Sequence, residues 1–590
     1  MITSSITRLT LSAAAAACLA PSSLHAQEQV IPRPAEITIH HYPGATLPPL
    51  LLDKNTVIEI LAGGLLPVTL PDWQPVPLDS KQPPEAAEAA SALNYAIDYL
   101  RKGTGLKLPV TLIGPKTQRH LSEPTPNSIS ISLATPLKEQ HGEEAYQIEG
   151  TAGDSGLNLT IYLASPKAII PAIQTIAQML PPAFFDPKAD KAKTEWKLAD
   201  APFTVTDYPR YAWRSFMLDE ARYFYGVDAV KKIIDQMALL KMNVLHWHLS
   251  DDGGWRIEIK KYPKLTSIGS KRRDTEIEKW GSGKYSGKPH EGYYTQDQIR
   301  DIVAYAAERG ITIIPEIDVP GHSAALCASY PELKLTLKQP SEVPATFTQN
   351  IALDPTNEKV YEVLSDILDE IITLFPSPII HLGGDEVRHK DCWQGEPAIE
   401  AFMKKKGLKS LNDVQTYFTN RMSQILARKG RRMMGWNEIL GHDIHGDGGG
   451  TTTGTLAPNT VINYWYGKRE PVIEAAKKGH DIVNSEWQYT YMTKFSKPDL
   501  RKSYSFDPAL PGLTTEQQKR VLGMACHTWT EWIPDTDELY RQMYPRIIAL
   551  AETAWTAKER KNYDDFLKRV RNYTRILDAM DVKFDHSKIK

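Results

Sequence analysis

From Trp213 onward the chain alternates between two patterns. Short runs dominated by apolar residues fall at 213–218, 243–249, 311–317, 379–382, 432–435, 461–464, 481–484 and 522–526. Between them lie longer stretches whose apolar positions recur at helical spacing, among them 227–240, 296–309, 359–374, 411–429 and 471–478. Strands that alternate with helices in this way predict a parallel α/β fold. Eight of them in one stretch predict a (β/α)8 barrel. The structural alternative is an open, doubly wound sheet. That fold ordinarily carries a Gly-x-Gly-x-x-Gly turn after its first strand, and none stands there.

The first two hundred residues read differently. Strand patterns at 36–40, 128–133, 146–149 and 157–163 accompany two helical stretches, 85–102 and 171–180. The pair 146–149 and 157–163 flanks a Gly-Asp-Ser-Gly turn and is expected to form a hairpin. Gly103 is expected to end the first helix, and Pro181-Pro182 the second. This segment, 27–200, is expected to be an α+β accessory domain without clustered catalytic residue types. The catalytic barrel is expected over 201–590.

Composition narrows the class. A chain of 590 residues exceeds one ordinary core. A net charge of −2 gives no electrostatic reason to expect nucleic acid or an anionic membrane as partner. Residues 1–26 combine Arg8, an alanine-rich apolar run and Leu24-His25-Ala26, the pattern of an export signal cut after Ala26. The competing reading is lipidation at Cys18. Otherwise no run is apolar enough to form a transmembrane segment. Past the signal, Cys327, Cys392 and Cys526 remain, so at most one internal disulfide is possible.

In a parallel barrel, chemistry collects just past the C-terminal ends of the strands. Functional residue types stand at all eight such positions. They are Asp219 and Arg222; Asp251 and Asp252; Asp318 and His322; Asp385 and Glu386; Trp436 and Glu438; Trp465; Tyr491; and Trp529 and Glu531. The centre of this set is Ile379-Ile-His-Leu-Gly-Gly-Asp-Glu-Val387, a strand that opens through two glycines onto adjacent carboxylates. Adjacent carboxylates cannot readily flank a sugar from both sides, as the pair of an ordinary glycosidase does at about 5 Å or more. One donating a proton while the other steadies a substrate group is the arrangement they permit. His246 and His248 alternate on one strand and face the same way, but a metal site needs further ligands from other strand ends. His322 and His381 are the available candidates, and His381 lies inside its strand. Histidines hydrogen-bonded within the barrel fit this pattern better, so no metal or other cofactor is expected.

Six stretches together carry a family resemblance. They are Met217-Leu-Asp-Glu-Ala-Arg222, Lys241-Met-Asn-Val-Leu-His-Trp-His-Leu-Ser-Asp-Asp252, Ile314-Pro-Glu-Ile-Asp-Val-Pro-Gly-His322, His381-Leu-Gly-Gly-Asp-Glu-Val387, Gly435-Trp-Asn-Glu-Ile-Leu440 and Trp529-Thr-Glu531. The chain resembles glycoside hydrolase family 20, the β-N-acetylhexosaminidases, over about residues 140–560. The resemblance implies a retaining exo-enzyme acting on glycans with a terminal N-acetylhexosamine, and the signal pattern of residues 1–26 predicts that it is exported to the periplasm or secreted. It makes Glu386 the general acid and then base, and Asp385 the acceptor of the acetamide N–H. Tyr491 would donate to the acetamide carbonyl, whose oxygen attacks the anomeric carbon. Trp436, Trp465 and Trp529 would wall the acetamide, Arg222 and Glu531 would bind ring hydroxyls, and Asp251 and His322 would support Glu386. Burial among aromatic rings is expected to raise the acid's proton affinity.

Three departures from the family pattern stand out. Tyr223 follows Arg222 where histidine is common, Gly253 replaces a glutamine, and Thr493 replaces an acidic or amide residue two positions after Tyr491. A glycine-rich insert, 446–454, stands ahead of Trp465 and separates it from the family pattern, and a second insert, 282–292, is expected to shape the site beyond the terminal sugar. A non-catalytic sugar-binding barrel and a metal-dependent barrel hydrolase are the competing functional classes. The first would be expected to have lost an acid.

Overall fold

The computed structural model describes residues 26–589 apart from 43–47, 62–83, 114–126, 154–155, 336–341, 348–350, 443–450 and 497. The expected export signal and Cys18 lie outside the described residues, as does most of the insert 446–454.

Eight parallel strands close into a barrel in chain order. They are β1 (Trp213–Asp219), β2 (Val244–His248), β3 (Thr312–Glu316), β4 (Ile379–His381), β5 (Arg432–Trp436), β6 (Val461–Tyr464), β7 (Ile482–Asn484) and β8 (Val521–Thr528). β8 closes the ring on β1, in register from Trp213 opposite Gly523 to Leu218 opposite Thr528. Each expected strand is present, with ends shifted by a residue or two. The fold is therefore a (β/α)8 barrel, and an open sheet is ruled out by the closure.

Period-two alternation along these strands stacks the barrel interior in layers. The lowest layer is apolar, with Val244, Ile314, Ile379, Met434, Val461, Val483 and Ala525 in one buried cluster. Two residues further along each strand the character changes. Met217, His246, Glu316, His381, Trp436 and His527 are all buried. The polar and aromatic residues that the sequence carries at the strand ends thus form the floor of a site over an aliphatic plug.

The N-terminal sheet has seven strands and is mixed. In spatial order they are Glu36–Ile39, Phe203–Asp207, Tyr146–Gly153, Gly156–Leu163, Ser128–Leu133, Val57–Leu61 and Val110–Ile113. Phe203–Asp207 carries this sheet past the boundary expected at residue 200. The first helix, Pro84–Thr104, also departs from expectation, because it runs through Gly103. A Cβ there would sit 2.1 Å from the Phe184 ring, so the glycine serves packing, and the turn out of the helix falls to Gly105 at φ +72°. A short helix not expected from the sequence, Thr135–His141, precedes the second expected one. That one, Ile169–Met179, is buried along its whole length. Its Gln178 amide donates to Leu239 O of a barrel helix at 2.9 Å.

A buried ion pair ties this sheet to the barrel. Lys241 Nζ lies 2.7 Å from Asp207 Oδ2, both side chains fully buried. Asp207 also accepts from Trp555 Nε1 at 2.8 Å and from the Tyr146 hydroxyl. Breaking one partner of such a pair costs roughly 3–5 kcal/mol, which makes it a strong determinant of how the two units dock. Cys327, Cys392 and Cys526 are buried free thiols, so the possible disulfide is not formed. Among the described residues, no helix is long and apolar enough to cross a membrane.

Candidate active site

The loop after β4 owes its course to glycine. A Cβ on Gly383 would lie 1.7 Å from Asp318 Oδ1, and Gly383 and Gly384 take φ of +63° and +93°. Gly384 N donates to Asp318 Oδ1 at 3.2 Å. The chain then places Asp385 and Glu386 at different depths. The Asp385 side chain is 9% exposed, whereas that of Glu386 is 31% exposed beside Arg388. Glu386 has φ +46°, and His322, which faces it, has φ +45°. Left-handed backbone at non-glycine residues is costly and clusters at functional sites.

His322 stands between the carboxylates. Its Nε2 is 3.7 Å from both Asp385 Oδ2 and Glu386 Oε2, and its Nδ1 is 3.3 Å from Asp251 Oδ1. Asp251 Oδ2 lies 2.9 Å from Arg222 Nη2 and 2.9 Å from His248 Nε2. His248 Nδ1 reaches Glu316 Oε2 at 2.5 Å. Glu316 is also 2.9 Å from His246 Nε2 and 3.0 Å from His381 Nδ1, and it accepts from Trp436 Nε1 at 2.9 Å. A continuous chain of alternating acids and imidazoles therefore runs from the barrel axis to the half-buried Glu386. The same Glu316 carboxylate fixes the Trp436 ring.

The charges follow from burial and neighbours. Burial alone would push Asp251 and Glu316 up. Arg222 with His322, and His381 with His248, outweigh it and hold both carboxyls well below the ordinary range. Burial would likewise push His322 and His248 down, but Asp251 with Asp385, and Glu316 with Asp251, hold both imidazoles well above the usual value. Asp385 goes the other way. Burial lifts it to about 7 against the pull of His322, with Glu438, Glu316 and Glu386 reinforcing the rise. The carboxyl raised by burial, expected for the acid, is thus found at Asp385, and the less buried Glu386 stands at the rim. Burial also lifts Glu531 to about 7.

Above Asp385 stands an aromatic box. Trp436, Tyr491 and Trp529 form a buried cluster with Met217, and Trp465 and Trp487 pack against it. Tyr491 and Trp465 are parallel at 6.0 Å between ring centroids, and Trp436 and Trp529 lie 5.7 Å apart. The Arg222 guanidinium sits 5.0 Å from the Trp529 ring centroid. Trp465 Nε1 donates to Glu438 Oε2 at 3.0 Å, which orients that wall. Asp385 Oδ1, Glu531 Oε2 and Arg222 Nε are buried, with no hydrogen-bond partner among the described residues. Buried polar atoms of this kind are costly unless a ligand completes them.

The ten residues to which the family resemblance gives roles therefore meet at one end of the barrel: Arg222, Asp251, His322, Asp385, Glu386, Trp436, Trp465, Tyr491, Trp529 and Glu531. Met217 and Glu316 were missed as site residues. Both stand at inward positions of strands, where a period-two count from Asp219 and Asp318 reaches them. The departures also find their places. Thr493 is fully buried and its Oγ1 accepts from Ser496 N at 3.0 Å, so it braces its own loop. A Cβ on Gly253 would meet Phe347 at 3.2 Å, and Tyr223 lies edge-on to His290. Among the described residues four groups, His246–Glu316–His381, His248–Glu316–Asp318, Asp251–Asp252–His322 and Asp318–His322–Asp385, each bring three possible metal-donor atoms within 4.8 Å of one another. Each pairs carboxylates with at least one imidazole of the same buried charge chain.

Residues 211–558 match the catalytic domain of glycosyl hydrolase family 20. The chain belongs to this family. It is 33% identical over 522 residues to a β-hexosaminidase of Porphyromonas gingivalis, covering 85% of this chain and 60% of the relative. It is 35% identical over 370 residues to a β-hexosaminidase of Vibrio furnissii, covering 60% of this chain and 58% of that one. It thus spans about three fifths of the length of either relative. Among solved structures, the family 20 exo-β-N-acetylglucosaminidase of Vibrio harveyi superposes with a TM-score of 0.73 at 27% identity, covering 96% of this chain and 79% of the other.

The raised Asp385 makes a stability prediction for this family 20 barrel. An unfolded aspartate titrates near about 3.9. Between about 4 and about 7 the folded chain keeps a proton that the unfolded chain has lost. The stability tied to that proton is therefore complete below the lower value and is lost as pH rises through the upper one. Asp385→Asn is expected to raise the melting temperature at pH 8 by about a few degrees and by less at pH 5. Calorimetric scans at both values check this; a gap that is equal at the two pH values, or larger at pH 5, contradicts it.

Proposed function

We propose that this chain is a retaining exo-β-N-acetylhexosaminidase that removes terminal N-acetylglucosamine or N-acetylgalactosamine from glycans, with the substrate's own acetamide as nucleophile. One observation carries this reading. Two successive carboxylates leave a single strand and part, Asp385 into the aromatic box and Glu386 to the rim, with His322 3.7 Å from each. The names of the relatives and the N-acetylglucosamine bound in the Vibrio harveyi structure support it.

The chemistry then follows from position. The acetamide occupies the box between Trp436, Trp465, Trp529 and Tyr491, where rings exclude water from its methyl group. Asp385 Oδ1 accepts the acetamide N–H, and Tyr491 donates its hydroxyl proton to the carbonyl oxygen. Burial pushes the Tyr491 phenol well above its ordinary pKa, which keeps that proton in place. The carbonyl oxygen forms a bond to the anomeric carbon as the glycosidic C–O bond breaks, and Glu386 gives its proton to the departing oxygen. Positive charge spreads over the resulting oxazolinium ring, against the Asp385 carboxylate. Glu386, now a base, takes a proton from water, whose oxygen attacks the anomeric carbon and reopens the ring. Two displacements leave the configuration unchanged. Arg222 and Glu531 orient the sugar through its hydroxyls, where charged hydrogen bonds are strong.

The test is the anomer released first. Time-resolved NMR of the hydrolysis of an aryl β-N-acetylglucosaminide is expected to show the β-hemiacetal before mutarotation. Initial release of the α-anomer sinks the mechanism.

A further inference from the structure

The aromatic box has a floor that the mechanism leaves idle. His246, Met217 and His527 stand side by side in register on β2, β1 and β8, so all three point to the same, inner face of the barrel. The His527 ring meets three walls of the box edge-on, Trp436 at 5.2 Å, Tyr491 at 5.3 Å and Trp529 at 6.4 Å between centroids. Its backbone is tied to the same place: His527 O accepts from Met492 N, next to Tyr491, at 2.8 Å.

His527 is fully buried, and neither Nδ1 nor Nε2 has a hydrogen-bond partner among the described residues. Burial, and then the neighbouring His246, push its imidazole well below the ordinary pKa against the pull of Glu316. The ring is therefore neutral and offers one donor and one acceptor. Both are costly to leave unmatched in a buried place. An aliphatic side chain would close the box without that cost. The mechanism gives the acetamide N–H to Asp385 and the carbonyl to Tyr491, so only the far end of the acyl group is left to meet the floor. A methyl group offers the imidazole nothing. A hydroxyl, donor and acceptor at once, matches either tautomer.

We propose that His527 reads the end of the N-acyl group, so that the protein takes hexosaminides whose acyl chain ends in a hydroxyl, the N-glycolyl class, as well as N-acetyl ones. This rests on the function proposed above and widens its substrate class. An N-propionyl group, with a methyl where N-glycolyl has its hydroxyl, gains no such bond.

The test uses the N-acetyl, N-glycolyl and N-propionyl forms of a nitrophenyl β-glucosaminide. The last two are close in size, so steric exclusion treats them alike. The hydroxyl also draws electrons from the attacking carbonyl oxygen and has to leave water. A preference for N-glycolyl therefore has to come from the protein. Its kcat/KM is expected to exceed that of the N-propionyl form by about tenfold, the size of one buried hydrogen bond. His527→Leu is expected to bring the ratio to one or below, and His527→Met serves the same comparison if leucine prevents folding. His527→Asn, which keeps a donor and an acceptor, is expected to retain a preference for N-glycolyl. A ratio of one or less in the parent overturns the proposal whatever the variants do, as does failure to cleave either longer substrate. A preference that survives in a folded His527→Leu or His527→Met also overturns it. Loss of cleavage of the N-acetyl form itself in the parent would sink the function proposed above, and this inference with it; cleavage of that form without the preference sinks this inference alone.

Discussion

Replacing the 2-acetamido group of an aryl β-glycoside by a hydroxyl is expected to slow its hydrolysis by about five decades or more. That figure corresponds to the roughly 7 kcal/mol or more that a well-oriented intramolecular nucleophile removes from a barrier. The box around Asp385 is what makes the orientation possible. Trp436, Tyr491 and Trp529 form its buried walls with Met217, and under the proposed mechanism they would hold the amide from the sides. Trp436 is itself fixed through Glu316, and Trp465 through Glu438. A hydroxyl in that box offers no carbonyl oxygen to the anomeric carbon and no N–H to Asp385. It would leave Asp385 Oδ1 buried and poorly paired, which adds to the loss. The measurement is the pair of rates for a nitrophenyl β-N-acetylglucosaminide and the matching β-glucoside. Rates within about tenfold would mean that a protein carboxylate serves as nucleophile, since substrate assistance supplies far more than that.

The barrel was legible in the sequence because each of its strands is a short run dominated by apolar residues and buried on both faces, set between stretches of helical spacing, a local and repetitive signal. The candidate site was legible because barrel geometry sends the residues after each strand to one face. What could not be read arises between elements. Glu316 gathers His246, His248 and His381 because β2, β3 and β4 stand in register, His248 opposite Glu316 and Glu316 opposite His381. No spacing along one strand announces that convergence. The different depths of Asp385 and Glu386 come from the positive φ at Glu386 and from the close approach of Asp318 to Gly383, neither of which has a sequence signature beyond the paired glycines. Gly103 misled for a related reason: the ring of Phe184, eighty residues on, required it.

Substituting Glu386 by Gln is expected to lower turnover of an oligosaccharide by about three to four decades, the upper part of the range for a positioned general acid. The loss is expected to be much smaller for the bond-breaking step of a dinitrophenyl glycoside, whose leaving group departs without a proton. Fold stability is expected to change little. Glu386 sits at the rim, and the amide keeps its size and shape, as substitutions away from buried features generally allow. That combination separates an acid from a structural residue. His322 and Asp251 belong to the buried charge chain, so removing either one also strands a neighbour and is expected to lower stability together with activity. Only the residue that delivers the proton is expected to lose rate in proportion to the leaving group's need for it. Equal losses on the two substrates would move that role away from Glu386. A loss confined to melting temperature would make Glu386 a residue of the rim and nothing more.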